Sequence, residues 1–233
     1  MKRGLLLLAI LSFAAQAAGA WARPPVVIEL FTAQGCATCD RANGYVADLA
    51  DQKGVLPLTF SVDYWDYLGW KDTFARPEFA DRQRAYARRF GVAEVFTPQV
   101  VVDGRSQTAA VKPDAIGALV REARNAPSDP PQMGWRGSDF VAVGGGRRPH
   151  GGAGVWLIRY DPREAATDVK DGDNRGHKVA ERNVVVQLAR LGAWRGRPVL
   201  LKLPPSPQDG LKTLVLVQSD NGGKILGVLG PQG

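Results

Sequence analysis

The chain has 233 residues, a length that allows one large domain or two small ones at roughly 100 to 200 residues per domain. Hydrophobic residues make up 45% and charged residues 23%, which excludes a disordered chain and a polytopic membrane protein, and two cysteines are too few for a disulfide-dense miniature scaffold. The net charge of +7 is spread over single arginines and short pairs, so no long basic stripe predicts nucleic-acid binding.

Residues 1–22 have the three parts of a secretory signal peptide. Basic Lys2-Arg3 precedes an apolar run at 5–15, and small residues follow up to Ala22. The apolar run is shorter than the roughly 20 residues of a membrane span, so we expect no span after the signal is removed. The pattern predicts an exported protein, periplasmic or secreted; a retained N-terminal anchor helix is the alternative.

Strand-like and helix-like patterns alternate from residue 23 to residue 126. Short apolar, β-branched runs predict strands at 26–31, 55–62 and 99–102. Helical spacing of apolar residues predicts helices at 39–50 and 77–90, and a last one opened by Pro113. We therefore predict an α/β domain over 23–126.

The composition changes after residue 126. Residues 127–137 are rich in proline and predict a linker, and 18 of the 27 glycines lie at Gly134 or later. Over 138–233 the pattern predicts strands only, at 140–143, 155–160, 183–190, 199–203, 213–218 and 224–228. We expect an all-β, sandwich-like C-terminal domain.

The two cysteines form the motif Cys36-Ala37-Thr38-Cys39 directly after the first predicted strand, where a helix begins. The free N–H groups at a helix N-terminus favour an anion, so Cys36 is expected to be the exposed, acidic nucleophile. Cys39, three residues later, is expected to resolve the mixed disulfide. The motif in an alternating α/β context predicts thiol-disulfide chemistry.

Other uses of the cysteine pair stay open. Structural zinc needs four ligands, and beyond the pair only His150 and His177 remain, both in the other predicted domain. We therefore predict no zinc site and no cofactor. Binding of Cu(I) by two thiolates and an inert disulfide are the remaining alternatives.

Three segments, at 27–39, 62–72 and 97–104, resemble a secreted bacterial thioredoxin-like family catalogued as domain of unknown function 1223. The resemblance extends to 172–176 and 183–185, and so to nearly the whole mature chain. It implies a thioredoxin-like fold and an exported location. It implies no activity, because the activity of the family is itself unassigned.

The resemblance to thioredoxin-like folds implies two further site features. Thr97-Pro98 corresponds to a cis-proline packed against the cysteine pair, where the backbone of Thr97 offers an edge to an extended substrate. Glu29 is a possible counterpart of the buried proton-relay carboxylate of thioredoxin. Its alternative is a carboxylate that points outward or caps a neighbouring backbone group.

An aromatic stretch at 63–70 lies between the cysteine motif and Pro98. Trp65 and Tyr67, with Tyr64 and Trp70, are of the types favoured at binding hot spots and predict a wall of the site that holds a partner. The alternative is that these rings pack a helical insertion onto the sheet. Asp63, Asp66 and Asp72, in or beside this stretch, are interpreted as caps and surface charges, with cation binding as the alternative.

These patterns favour a thiol-disulfide oxidoreductase whose partners are protein thiols or disulfides. Two alternatives stay open. One is a non-catalytic secreted binding or assembly protein on a thioredoxin scaffold, and the other is Cu(I) handling by the cysteine pair.

Overall fold

The structure is a computed structural model that describes residues 24–147 and 149–232. The predicted signal peptide at 1–22 lies outside the described residues. The fold is mixed α/β and dominated by sheet, with one eight-stranded sheet, one three-stranded sheet and few helices in the described part of the chain.

The helices are α1 (Cys39–Leu49), α2 (Pro77–Phe90) and α3 (Pro113–Asn125), with a short 3-10 helix at Asp66–Leu68. The strands are β1 (Val26–Thr32), β2 (Val55–Ser61), β3 (Gln99–Val102), β4 (Ser106–Ala109), β5 (Met133–Arg136), β6 (Phe140–Val143), β7 (Ala153–Asp168), β8 (Lys178–Trp194), β9 (Val199–Lys202), β10 (Lys212–Ser219) and β11 (Ile225–Gln232). Each helix and strand predicted from the sequence is present in this set.

The large sheet contains strands from both halves of the sequence. Its order is β11-β10-β7-β8-β2-β1-β3-β4, and β8 lies parallel to β2 at the pair Thr59 and Val184. Strands that follow the predicted boundary at 127–137 therefore extend the sheet that the N-terminal strands begin. Within that predicted linker, Met133–Arg136 form β5, because Met133 and Trp135 alternate with Gly134 and Arg136 and supply one apolar face.

Both faces of β1 are covered, which explains its nearly continuous apolar sequence. Val26, Ile28 and Leu30 pack in a cluster with residues of α1 and α3. Val27 and Phe31 point to the opposite face, into a cluster with residues of α2, β2, β7 and β10. The same alternation directs Glu29 to the second face.

The three-stranded sheet β5-β6-β9 packs on the C-terminal part of the large sheet. Val141 and Val143 of β6 share a buried cluster with Val155 of β7 and Val215 of β10. The two sheets therefore bury one apolar face between them.

Glu29 is fully buried and is held in an ion pair with Arg82 of α2. Arg82 Nη2 donates to Glu29 Oε1 at 2.8 Å, and Arg82 Nε donates to Glu29 Oε2. The hydroxyl of Tyr86 donates to Glu29 Oε1 at 2.7 Å and accepts a hydrogen bond from Gln218 of β10 at 2.9 Å. This network connects β1, α2 and β10.

Replacement of Arg82 should therefore be far more costly than replacement of an exposed arginine on the same helix. Arg82→Met leaves the Glu29 carboxylate buried without its cation, and we expect a loss of about 3 to 5 kcal/mol of unfolding free energy. Arg84→Met is the matched control, because Arg84 pairs with Asp81 at the surface of α2 and an exposed pair contributes less than about 1 kcal/mol. Urea denaturation measures both values, and equal losses would contradict the structural importance of the buried pair.

Candidate functional site

The cysteines lie at the junction of β1 and α1, as predicted. A turn follows β1, in which Cys36 N donates to Ala33 O at 3.1 Å, and Cys39 N then donates to Cys36 O at 3.0 Å. Cys39 is the first residue of α1. The two cysteines form a disulfide, with their Cα atoms 5.4 Å apart.

Both cysteines are covered in this disulfide state. Cys36 is 1% exposed and Cys39 is 0% exposed. These values describe the oxidised form, so an exposed Cys36 thiol in the reduced protein stays a prediction. A segment far away in the sequence is hydrogen-bonded to the backbone of the cysteine turn.

That segment is the loop that joins β7 to β8, residues 169–177, which we call the cap loop. The side-chain amide of buried Asn174 donates to Gln34 O at 2.8 Å and to Cys36 O at 3.1 Å. The cap loop is closed on itself, since Val169 N donates to His177 O at 3.0 Å. Asn174 therefore fixes the cap loop to the backbone that carries Cys36.

Gln34 is the centre of a buried polar network beside the cysteines. Its backbone N–H donates to Asp72 Oδ2 at 2.7 Å, and its side-chain nitrogen donates to Thr73 Oγ1 at 2.8 Å and to Glu181 Oε2 at 3.1 Å. Its side-chain oxygen accepts from Trp70 Nε1 at 3.0 Å. The network joins the turn after β1 to Trp70 of the aromatic stretch and to Glu181 of β8. Its centre, Gln34, lies two residues before Cys36.

Two buried carboxyl groups meet Gln34. Burial, and then the charge of Asp72, raise the pKa of Glu181 to about 7, while Ser61 Oγ donates to Glu181 Oε1 at 3.0 Å. Burial also raises the pKa of Asp72, although backbone N–H groups of Gln34 and of residues 74 and 75 donate to it. The site therefore contains a carboxyl group that gains or loses a proton near neutral pH.

The predicted substrate-binding residues separate into two groups. Trp65 Nε1 donates to Thr97 Oγ1 at 2.8 Å, and Trp65 packs against the cluster that contains both cysteines. The peptide bond between Thr97 and Pro98 is cis, as expected, and Pro98 is buried at the start of β3. Tyr67 is 78% exposed. The structure thus brings Trp65 and Thr97 together near the cysteines and leaves Tyr67 free at the surface.

A second polar network, centred on Gln83 of α2, holds the chain segment around Thr97. Gln83 of α2 donates to Phe96 O at 2.8 Å and to Gln99 Oε1 at 3.0 Å, and it accepts a hydrogen bond from the hydroxyl of Tyr64 at 3.2 Å. Burial raises the pKa of Tyr64 to about 12, so the hydroxyl keeps its proton as a donor. Phe96 and Gln99, which lie before and after Thr97 in the chain, are therefore hydrogen-bonded to α2.

Glu29 has contacts of a different kind. Its carboxylate is paired with Arg82 and Tyr86, and no hydrogen bond joins it to a cysteine in the described part of the chain. A proton-relay role for Glu29 stays a prediction. The carboxyl group whose pKa burial raises to about 7 is that of Glu181, in the second half of the chain.

Sequence reasoning missed the residues that complete the site. Gln34, Asn174 and Glu181 were not identified as site residues, and Asp72 was interpreted as a cap or a surface charge. A signal was present for Gln34, Asp72 and Asn174, which lie in segments that carried the family resemblance. Nothing local in β8 marks Glu181 as a neighbour of residue 34, because 147 residues separate the two.

In the two described ranges, no group of three or more His, Cys, Asp or Glu side chains is arranged to hold a metal ion. Every helix of residues 24–147 and 149–232 is too short or too polar to cross a membrane.

Comparison with known proteins assigns the family. The sequence profile of the family described as protein of unknown function (DUF1223) matches residues 27–218. The chain belongs to this family. The matched range runs from β1 into β10, so the DUF1223 region includes the cysteines, the cap loop and Glu181.

Two solved structures resemble the DUF1223 chain. Protein AGR_C_4864 from Agrobacterium tumefaciens is 31% identical with a TM-score of 0.70, over 90% of this chain and 95% of that one. HBP35 of Porphyromonas gingivalis is 13% identical with a TM-score of 0.56, over 88% of this chain and 74% of that one, a similarity of fold alone. Among the curated proteins, none matches the chain in sequence.

The raised pKa of Glu181 should make stability depend on pH. The pKa is about 7 in the folded protein against an ordinary value of 4.5, so the folded state binds the proton more tightly. The free energy of unfolding therefore falls as pH rises from about 4.5 to about 7. Glu181→Gln resembles the protonated acid, and we expect its stability relative to the parent protein to increase by about 2 to 3 kcal/mol between pH 5 and pH 8.

Urea unfolding at pH 5 and pH 8 measures this difference. Glu122→Gln, at an exposed position of α3, is the matched control and should follow the parent protein at both pH values. A Glu181→Gln protein that keeps the parent's dependence on pH would show that Glu181 is already ionised at pH 5.

Loss of the Asn174 amide should open the site. Asn174→Ala removes two hydrogen bonds between the cap loop and the cysteine turn, each worth about 1 kcal/mol. The open population of the cap loop should then rise by about thirtyfold, and reduction of the disulfide by dithiothreitol should accelerate by a similar factor. Thiol trapping over time measures the rate. Asn125→Ala, at the exposed end of α3, is the control, and an unchanged rate in Asn174→Ala would mean that the cap loop does not limit access.

Proposed function

We propose that this protein is an exported, thioredoxin-like thiol-disulfide oxidoreductase, with Cys36 as the nucleophile and Cys39 as the resolving thiol. The observation that carries the proposal is the Cys36–Cys39 disulfide at the junction of β1 and α1. The N-terminal topology supports the fold assignment, since β1 is parallel to β2 and antiparallel to β3, with helices between consecutive strands as in a thioredoxin-like unit.

The exchange runs in two balanced steps. In the reduced form, the Cys36 thiolate attacks a substrate disulfide R–S–S–R′, forms the mixed disulfide Cys36–S–S–R and releases R′–S⁻. The Cys39 thiolate then attacks the Cys36 sulfur, forms the Cys36–Cys39 disulfide and releases R–S⁻. Two electrons pass from the protein to the substrate, and the reverse sequence oxidises a substrate dithiol.

Local structure supports these roles. Cys36 lies in the turn that leads into α1, three residues before the first helical residue, and unpaired backbone N–H groups and the helix dipole at this end of α1 favour a thiolate. Glu181, with its pKa of about 7, is connected to the same turn through Gln34 and is suited to exchange protons there as thiols form and ionise. Trp65 and Thr97 form the adjacent wall against which a substrate chain would lie.

Export supports the chemistry as well. The signal-like residues 1–22 would direct the chain to an oxidising compartment, where disulfides form and persist. Protein thiols and disulfides are the substrates that such a compartment supplies.

A binding or assembly protein on the same scaffold is the second candidate. The observation that favours it is the burial of both cysteines under the cap loop. In that case the disulfide is structural, and binding depends on exposed residues such as Tyr67 or on the strands of the second half.

Serine variants of the two cysteines separate these functions. Cys36→Ser removes the nucleophile and should reduce the rate of insulin disulfide reduction to the uncatalysed background. Its stability should change little, because a disulfide across two intervening residues restricts the unfolded chain only slightly. Cys39→Ser permits attack but not resolution, so it should accumulate mixed disulfides with partners. Non-reducing electrophoresis after expression in the native host measures this capture.

The two other functions predict different results for the same serine variants. A structural disulfide gives neither effect, and binding then responds to replacement of Tyr67 and not to Cys39→Ser. Cu(I) handling gives equal loss of metal in both serine variants with no covalent adduct. A Cys39→Ser protein that captures no partner would count against the oxidoreductase.

A further inference from the structure

Asn43 of α1 carries a buried hydrogen-bond donor that has no acceptor in the described part of the chain. The residue is 3% exposed, and its side-chain nitrogen Nδ2 is without a partner. Thr32 Oγ1 donates to Asn43 Oδ1 at 2.7 Å, which turns the carbonyl end of the amide toward β1. A buried donor without an acceptor is rare in proteins and calls for an explanation.

Asn43 lies one helical turn after Cys39 in α1. The two residues are four apart in α1, so they share one face of the helix, and helical side chains lean toward the preceding turn. The other buried residues of α1 are Ala42, Val46 and Leu49, whose side chains accept no hydrogen bond. Among the other buried side chains of α1, that of Cys39 is thus the one with an atom that can accept a hydrogen bond from Asn43.

The sulfur is a poor acceptor while it is in the disulfide and a strong one as a thiolate. Cys39 is fully buried, and burial without a donor would disfavour its thiolate. The reduced state therefore creates the acceptor that the Asn43 amide lacks in the oxidised state.

We propose that Asn43 Nδ2 donates a hydrogen bond to the Cys39 thiolate when the disulfide opens, and so stabilises the resolving nucleophile. This inference rests on the proposed function. In the resolving step the Cys39 thiol gives up its proton, its thiolate attacks the Cys36 sulfur of the mixed disulfide, and the released R–S⁻ takes up a proton through solvent. The substrate disulfide is the oxidant. The hydrogen bond from Asn43 stabilises the negative charge of the Cys39 thiolate before it attacks.

Titration of Cys39 alone tests the contact. The chain has two cysteines, so Cys39 is the single thiol in a Cys36→Ser protein, and its ionisation is followed by thiolate absorbance and by the rate of alkylation. In that background, Asn43→Leu removes the amide at similar volume. Asn43→Asp keeps an acceptor for Thr32 and removes the donor. Loss of a hydrogen bond to a charged group should raise the Cys39 pKa by about one to two units in both variants.

Other ionisable groups near the cysteines are unchanged in this comparison. They are Asp40 in the first turn of α1, Asp72 and Glu181 at Gln34, and the Glu29–Arg82 pair on the other element packed against β1. Asn125→Leu, on the exposed end of α3, controls for the substitution itself and should leave the Cys39 pKa unchanged.

A Cys39 pKa that stays at the parent value in both Asn43 variants would overturn the inference. If Asn43→Leu does not fold, as judged by circular dichroism, Asn43→Ala takes its place, because it also removes the amide without adding a charge. A rise in Asn43→Asp alone would be assigned to its added negative charge, and would also overturn it. The titration needs no substrate, so its outcome is independent of whether Cys39→Ser captures partners, and failure of the oxidoreductase proposal is recognised separately.

Discussion

The junction between β2 and β8 is the constraint on which the rest of the structure depends. The two strands share the backbone pair Thr59 and Val184, and side chains supply further contacts: Thr59 Oγ1 donates to Arg182 O at 2.7 Å, and Asn183 Nδ2 donates to Pro57 O at 2.8 Å. Pro57 has no N–H to donate to a neighbouring strand, so a regular ladder is interrupted there and side-chain donors replace it. This junction joins the two halves into one sheet.

The site is a consequence of that junction. Because β8 lies beside β2, Glu181 reaches Ser61 and Gln34, and the cap loop that precedes β8 lies over the cysteine turn. The same arrangement places hydrogen-bonded polar groups from both halves beside the cysteine turn.

The range of the DUF1223 match also includes both halves of the chain. The DUF1223 match covers residues 27–218, and the similar protein from Agrobacterium tumefaciens is covered over 95% of its length, so both halves belong to what is shared. Neither half contains the complete site. The cysteines and Gln34 come from the first half, whereas Asn174 and Glu181 come from the second.

The sequence by itself determined the three α-helices and the strands other than β4 and β5, because periodicity and turn residues are local signals. It also determined the position of Cys36 and Cys39 at a strand-to-helix junction and the change to strands after residue 137. The sequence also carried the resemblance to the DUF1223 family. Only the tertiary structure decided that the second half continues the first sheet, that Glu29 is paired with Arg82, and that Glu181 lies beside Gln34. These contacts join residues 53 and 147 positions apart, and their existence depends on which strands become neighbours, which no local pattern encodes.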